Sequence, residues 1–403
     1  MSPNDKLAPV APPAAGFIPL IVPEICGNEW KYVKECLDTN WVSSSGSYID
    51  RFESMLAERA GTKYAVATVN GTAALHLALI LAGVEPDDEV LISSLTYIAP
   101  ANAIRYVNAW PVFIDSEPTY WQIDPGRVVD FLENECRWDG HQLRNRVSGR
   151  RVKAILPVHI LGHPVDLDPI MAVAEKYSLQ VIEDATHGLG ALYRGKSLGG
   201  FGHAGCFSFN GNKIITTGGG GMLVTNNAEW AARARYLANQ AKDNPSEYVH
   251  SSIGYNYRLT NLSAAMGCAQ MEQLDKIVGA KRKIARRYQE ALAPLAAVHA
   301  PEEAEWAFST YWLYTLLVDE KEFGIGVREL IRDLAARNIE ARPLWQPMHL
   351  SPAHNSFGSP PCPIAESLYR RAVSIPCSAG LSESAQDTVI ESIAAPLAKH
   401  GPL

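Results

Sequence analysis

One lysine stands in an unusual setting. In the run Ser208-Phe-Asn-Gly-Asn-Lys213-Ile-Ile-Thr-Thr217, Lys213 sits in a polar turn between two apolar, strand-like stretches, Gly205–Phe209 and Gly221–Thr225. Gly218–Gly221 follows, and no side chain obstructs the backbone there. A lysine in a loop between strands is ordinarily solvated. Amine chemistry asks for something else: a lysine held in a tight, dry pocket where part of it is neutral. Two further features supply the surroundings such a lysine needs. Asn70-Gly71-Thr72 ends a buried strand and opens a helix, where free amide groups and the positive end of the helix dipole attract an anion. Its plain reading is an N-cap by Thr72. Glu183-Asp184 ends the apolar run Leu179–Asp184, and open α/β folds bind ligands beyond the C-terminal ends of their strands. Alone, that aspartate reads equally well as a structural residue.

Together, a phosphate cradle, a strand-end carboxylate and a loop lysine are the parts that pyridoxal 5'-phosphate requires. The lysine forms the Schiff base, the aspartate pairs with the pyridinium nitrogen, and the helix N-terminus holds the phosphate. Tyr97, just past the run Glu89–Ser93, is placed to lay an aromatic face on the ring.

Positioning these residues requires a sheet. From Tyr64 onward, β-rich runs alternate with helical patterns: Tyr64–Val69, Glu89–Ser93, Pro111–Asp115, Val152–Val158, Leu179–Asp184, Gly205–Phe209 and Gly221–Thr225. Short apolar runs separated by helices predict a mostly parallel sheet covered on both faces. After Asn256 the pattern changes to one long helical stretch, about Leu262 to Leu292, with Pro294 as a stop signal. A strand (Tyr311–Val318), a helix (Val327–Asn338) and two C-terminal helices follow. The expected organisation is a mobile Pro/Ala-rich arm over 1–16, a large domain over 17–262 and a smaller α/β domain over 263–403.

Composition sets the outer limits. The chain has 403 residues, 47% hydrophobic and 20% charged, with 36 Lys+Arg against 43 Asp+Glu and a net charge of −7. That is globular composition, with no electrostatic case for nucleic-acid or anionic-membrane partners. No apolar run approaches the roughly 20 residues that a bilayer span needs. Seven scattered cysteines never form CxxC, and the N-terminus lacks the pattern of a signal peptide. The expected location is cytoplasmic, and no metal site is expected. The basic stretches Arg144–Lys153 and Lys281–Arg287 read as a solvated loop and a solvated helix face.

Three motifs are decoys. Gly200-Phe-Gly-His-Ala-Gly205 is a literal GxGxxG, but a dinucleotide fingerprint must follow a buried strand and open a helix, and this one does neither. Gly218–Gly221 lacks the Lys-Ser/Thr of a P-loop, and His159-Ile-Leu-Gly-His163 lacks the glutamate of a zinc hydrolase.

The segments Asn70–Leu75, Glu183–Gly188 and Phe207–Thr225 resemble the DegT/StrS-type sugar-nucleotide aminotransferases, and the similarity continues through Gly254–Ala265, Arg342–His349 and Ser374–Ser384. The resemblance implies a fold-type I pyridoxal-phosphate enzyme, aspartate-aminotransferase-like, with a large domain around a mostly parallel sheet and a smaller C-terminal α/β domain. It implies Lys213 as the Schiff-base lysine and Asp184 as the pyridinium partner. Ser208, Gly71 and Thr72 would bind the phosphate, and Tyr97 would stack on the ring. His187 occupies a position often held by Gln or Glu near the ring hydroxyl. Asn256 would reach the phosphate of a neighbouring subunit, making a homodimer part of the site. Trp41, Ser43, His159 and His349 are candidates for the sugar-nucleotide side. The opening segment from Ile18 to Gly46 is similar to members that aminate UDP-4-keto-6-deoxy-N-acetylhexosamines, so the expected reaction moves an amino group from L-glutamate to such a sugar by a ping-pong route. The alternatives are amination of GDP-4-keto-6-deoxymannose, as in perosamine formation, and a non-catalytic sugar-nucleotide binder of the same fold.

Overall fold

The computed structural model describes residues 16–244, 246–354 and 359–400. The expected arm over 1–16 therefore lies outside the described residues, apart from residue 16. At the centre is a twisted sheet whose main path runs Tyr64–Thr68, Gly221–Thr225, Ala204–Ser208, Gln180–Asp184, Arg151–Leu156, Glu89–Ser93, Trp110–Ile114. The strands from Ala204–Ser208 to Trp110–Ile114 are mutually parallel, whereas Gly221–Thr225 is antiparallel to both of its neighbours. Their alternate residues do not switch between polar and apolar: Glu89–Ser93 and Gly221–Thr225 are buried throughout. Helices cover both faces, as such near-continuous apolar strands demand. The helix Gly71–Leu81 is apolar on nearly every side and is correspondingly buried against the sheet. All the parallel strands end at one edge, and Asp184, Ser208 and the residues after Ser93 are thereby brought together.

A second sheet of antiparallel strands, in the order Val298–His299, Tyr314–Val318, Ala372–Ile375, Arg342–Pro343, carries the C-terminal part. Val327–Ala336 packs beside it, and Glu383–His400 packs on that helix. The expected strand from Tyr311 begins only at Tyr314, because Tyr311 has φ +48° and turns the chain first.

The single long helix expected over 262–292 is two helices, Asn261–Met271 and Leu274–Leu292. The first packs on Glu29–Asp38 and Ser47–Ala60, the second on Glu383–His400. The interruption falls at Glu272, whose carboxylate accepts from Asn28 Nδ2 (2.7 Å), Tyr32 Oη (2.8 Å) and Arg51 (2.7 Å). Nor are the two basic stretches simply solvated. Leu143–Asn145 pairs with Cys136–Trp138 and adds a hairpin to the main sheet, while Arg151 bonds Asp88 at 2.6 Å and Glu85 at 2.9 Å. Lys281 is buried, donating to Cys377 O at 2.7 Å; Lys283 and Arg287 stay at the surface, paired with Glu383 and Asp387. The cysteines are free thiols, with Cys26 exposed and the other six buried. Among the described residues, no helix is long and apolar enough to cross a membrane.

Candidate active site

At the C-terminal edge of the parallel strands lies a cavity of about 480 Å³. Its walls include Gly71, Thr72, Tyr97, Asp184, His187, Ser208 and Lys213. The strongest sequence-derived site residues thus converge, although they come from four separate segments.

The floor is the start of the helix Gly71–Leu81. Asn70, with extended backbone, is the N-cap and accepts the Ala73 amide at 2.8 Å, so the cap is Asn70 and not Thr72. The first amides of any helix have no partner within it, which leaves those of Gly71 and Thr72 to face an anion. Ser208 closes in from the end of its strand: a Cβ built on Gly71 would lie 2.7 Å from Ser208 Cβ. Gly221 serves the same close approach, since a Cβ there would lie 2.5 Å from the Gly71 nitrogen. The glycine run after Lys213 therefore lets a central strand lie directly against the helix start.

Asp184 is 2% exposed and accepts the Thr186 amide at 3.1 Å. Burial raises its pKa, with Thr186, Lys213 and His159 opposing. Burial lowers the Lys213 amine to about 8, with Asp184 pulling it back up. The lysine side chain keeps some exposure, while its amine is closely surrounded. His187 is also buried, and burial first, then the Lys213 charge, hold its pKa well below the usual value. Among the described residues its Nδ1 has no hydrogen-bond partner, and neither has the hydroxyl of Thr96, another buried wall residue.

Sequence reasoning missed an aromatic wall. Trp312 stacks on His187 (centroids 3.7 Å apart, 16° between planes), and Trp345 lies nearly parallel behind at 5.5 Å from His187. The Lys213 amine stands 4.4 Å from the centre of the Trp312 ring. Trp345 falls within Arg342–His349, but no spacing rule connects it or Trp312 to Lys213. Asn210 and Asn212, inside the lysine run, line the cavity as well.

Other expected residues lie elsewhere. Trp41 is exposed and borders a separate hollow with Ser45, Ser47 and Arg258, while Ser43 is an exposed neighbour of it. His349 is outside the cavity, bonded to Ser94 Oγ at 2.6 Å and facing Glu366 at 3.3 Å. His159 is fully buried behind the strand end: Nδ1 accepts the Val165 amide at 3.0 Å, so Nε2 carries the proton toward Glu183, 3.3 Å away. Both ring nitrogens are engaged, which removes His159 from a substrate-facing wall. Asn256 is exposed and does not line the cavity of its own chain.

The decoy glycines also acquire a purpose. The amides of Gly199, Phe201 and Gly202 all donate to the buried Glu183 carboxylate, at 2.8–2.9 Å. Phe201 and Gly202 of the GxGxxG lookalike, with Gly199 just before it, hold a carboxylate of their own chain.

The cavity fits pyridoxal phosphate on four counts. It offers an open helix start for the phosphate and a buried carboxylate lacking a strong cationic partner for the ring nitrogen. It adds an orphaned imidazole nitrogen and an enclosed, partly neutral lysine amine. Comparison with known proteins agrees. Residues 23–394 match the DegT/DnrJ/EryC1/StrS aminotransferase family. The GDP-perosamine synthase of Caulobacter vibrioides is 40% identical, over 93% of this chain and 97% of that one. The GDP-perosamine synthase of Escherichia coli O157:H7 is also 40% identical, over 94% and 98%. The crystal structure of S. venezuelae DesV with a ketimine intermediate superposes with a TM-score of 0.82 at 30% identity, covering 93% and 95% of the two chains. The chain belongs to the DegT/DnrJ/EryC1/StrS family and is a pyridoxal-phosphate-dependent sugar aminotransferase.

Proposed function

We propose that the enzyme aminates C4 of a nucleotide-linked 4-keto-6-deoxysugar, with L-glutamate as donor, and that the substrate is GDP-4-keto-6-deoxymannose. The observation that carries the chemistry is the meeting of Lys213, Asp184 and the open helix start at Gly71 around one cavity. The choice of nucleotide rests on the perosamine synthases that match nearly end to end. Their names favour the GDP sugar over the UDP-N-acetylhexosamine suggested by the opening segment.

When bound, pyridoxal phosphate supplies an aldehyde carbon that links to amines and a ring that accepts the electron pair left when a neighbouring C–H proton departs. The protein's own groups do the rest. The amides of Gly71 and Thr72, with Ser208, bind the phosphate. Asp184 keeps the ring nitrogen protonated, and the stabilising charge pair would reverse the upward shift that burial imposes on it. Tyr97 would cover the ring, and His187 Nδ1, which lacks a partner among the described residues, would hydrogen-bond its hydroxyl. Lys213 Nζ, once free, removes the proton from the glutamate α-carbon, and in the second half-reaction handles the proton at C4 of the sugar. Glutamate leaves as 2-oxoglutarate before the sugar enters, so the kinetics are ping-pong.

The same reading includes a homodimer, in which exposed Asn256 serves the partner's cavity. It also includes a large cofactor domain and a smaller C-terminal one. The packing of Asn261–Met271 on the N-terminal helices favours a boundary at 272–273, ten residues beyond the one expected from sequence. The six buried free thiols support a reducing, cytoplasmic setting.

The test is to incubate the enzyme with glutamate and GDP-, UDP- and dTDP-4-keto-6-deoxysugars and identify the amino sugar by mass and NMR. Turnover of the GDP sugar far above the others is the expected result. Preference for the UDP-N-acetyl sugar would refute the nucleotide assignment while leaving the chemistry intact.

A further inference from the structure

Trp312 touches the lysine loop at more points than a packing residue needs to. Its indole N–H donates to Asn212 O at 2.6 Å, the carbonyl immediately before Lys213. Its ring lies 4.4 Å from the Lys213 amine and stacks with the rings of His187 and Trp345. The backbone that delivers it is strained. Tyr311 has φ +48°, a left-handed conformation that a bulky residue adopts only at a cost. Three hydrogen bonds hold this turn in place. Thr310 N and Ser309 Oγ both donate to Gly162 O, at 3.0 and 3.1 Å, and Tyr311 N donates to Ser309 Oγ at 3.1 Å. Gly162 has no side chain to spare, since a Cβ there would lie 2.8 Å from the Trp312 nitrogen. Strain maintained by surrounding structure marks a position whose geometry matters.

The geometry points to Trp312 as the positioning residue of Lys213: it tethers the lysine loop through the Asn212 carbonyl and roofs the amine against water. This rests on Lys213 being the reacting amine. Two effects of the indole oppose each other. Its face attracts an ammonium, which favours the charged lysine. Its bulk excludes water, which favours the neutral one. Burial heads the causes that bring the amine to about 8, with Asp184, the charged neighbour facing it, working in the opposite direction, and Trp312 is one of the groups that enclose it. His187, the other titratable ring against Lys213, is held neutral.

The experiment reads the amine without turnover. The full chain, freed of cofactor, is carbamylated with cyanate across a pH series, and modification of the Lys213 peptide is followed by mass spectrometry. In W312A, water reaches the amine and the midpoint rises by at least one unit, slowing carbamylation about tenfold at any pH below both midpoints. W312F keeps a ring over the amine but cannot donate to Asn212, so its midpoint stays near the wild-type value. Loss of one hydrogen bond of about 1 kcal/mol then makes pyridoxal phosphate leave the holoenzyme roughly fivefold faster. If both variants keep the wild-type midpoint and dissociation rate while only the melting temperature falls, Trp312 is core packing and the proposal is overturned. If W312A does not fold, the dissociation rate of W312F decides alone. Neither outcome bears on whether Lys213 itself is required, which the Lys213→Ala enzyme tests separately.

Discussion

Replacing Gly71 with alanine adds one methyl group at the point where phosphate and serine must come closest. The new Cβ would lie 2.7 Å from Ser208 Cβ and 3.3 Å from both Ser208 Oγ and Phe207 O. Carbon atoms in van der Waals contact sit about 3.5–4.0 Å apart, so the overlap with Ser208 is about 1 Å. The serine must move, because the strand Ala204–Ser208 is locked between Gln180–Asp184 and Gly221–Thr225. Overpacking of this kind costs about 1–3 kcal/mol. Alanine returns up to about 1 kcal/mol as a better helix former than glycine, and the helical φ at this position asks for no glycine. The net loss of stability is therefore about 0–2 kcal/mol, and the protein folds. Cofactor affinity suffers more. Displacing Ser208 and crowding the first amides removes at least one hydrogen bond to a charged group, worth about 1.5–3 kcal/mol. Expressed as a dissociation constant for pyridoxal phosphate, the loss is roughly 12- to 150-fold. Titrating the cofactor-free protein and following visible absorbance measures it, with thermal melting of the same sample as the control. A variant that melts normally and binds cofactor within twofold of wild type would refute the placement of the phosphate at this helix start.

Lys213→Ala abolishes transamination while leaving a folded protein that still binds the cofactor non-covalently; near-normal turnover would remove the lysine from its role. The lowered amine also affects stability. Between about pH 8 and 10.5 the unfolded chain binds more protons at this position than the folded, cofactor-free chain, so stability rises with pH across that window. Lys213→Met removes this dependence and raises the melting temperature at neutral pH, by a contribution of at most on the order of 3 kcal/mol; an unchanged melting curve would show the amine to be solvated. Glu183→Ala strands three backbone amides and the His159 Nε2 proton, and costs about 3–5 kcal/mol as a loss of thermal stability. A loss below 1 kcal/mol would mean that water replaces the carboxylate.

The part of the site that was legible in sequence is the part that sits at the ends of strands. Gly71, Asp184, Ser208 and Lys213 each lie within a few residues of an apolar run, so recognising the runs as parallel strands was enough to gather them at one edge. Trp312 and Trp345 escaped for the opposite reason. They arrive from the C-terminal part of the chain, and only the docking of the Ser309–Tyr311 turn on Gly162 brings the first of them to the lysine. The helix break at Glu272 escaped too: the groups that hold its carboxylate, Asn28, Tyr32 and Arg51, lie more than 200 residues away. His159 and Glu183 show a subtler limit. A strand sends successive side chains to opposite faces. Asp184 therefore meets the cavity, and Glu183 must turn away from it into the protein. A buried carboxylate on that second face needs donors, and the glycines of Gly199–Gly202 bring backbone amides close enough to supply them, with His159 completing the set. Two of those glycines, Gly200 and Gly202, belong to the GxGxxG run whose sequence context already excludes a dinucleotide site, and His159 suggested a substrate contact. As neighbours of Glu183 they do different work: they hold rigid the strand end from which Asp184 projects. Adjacent acidic residues in Glu183-Asp184 thus divide two tasks by the period of the strand alone, one fixing the frame and the other facing the chemistry.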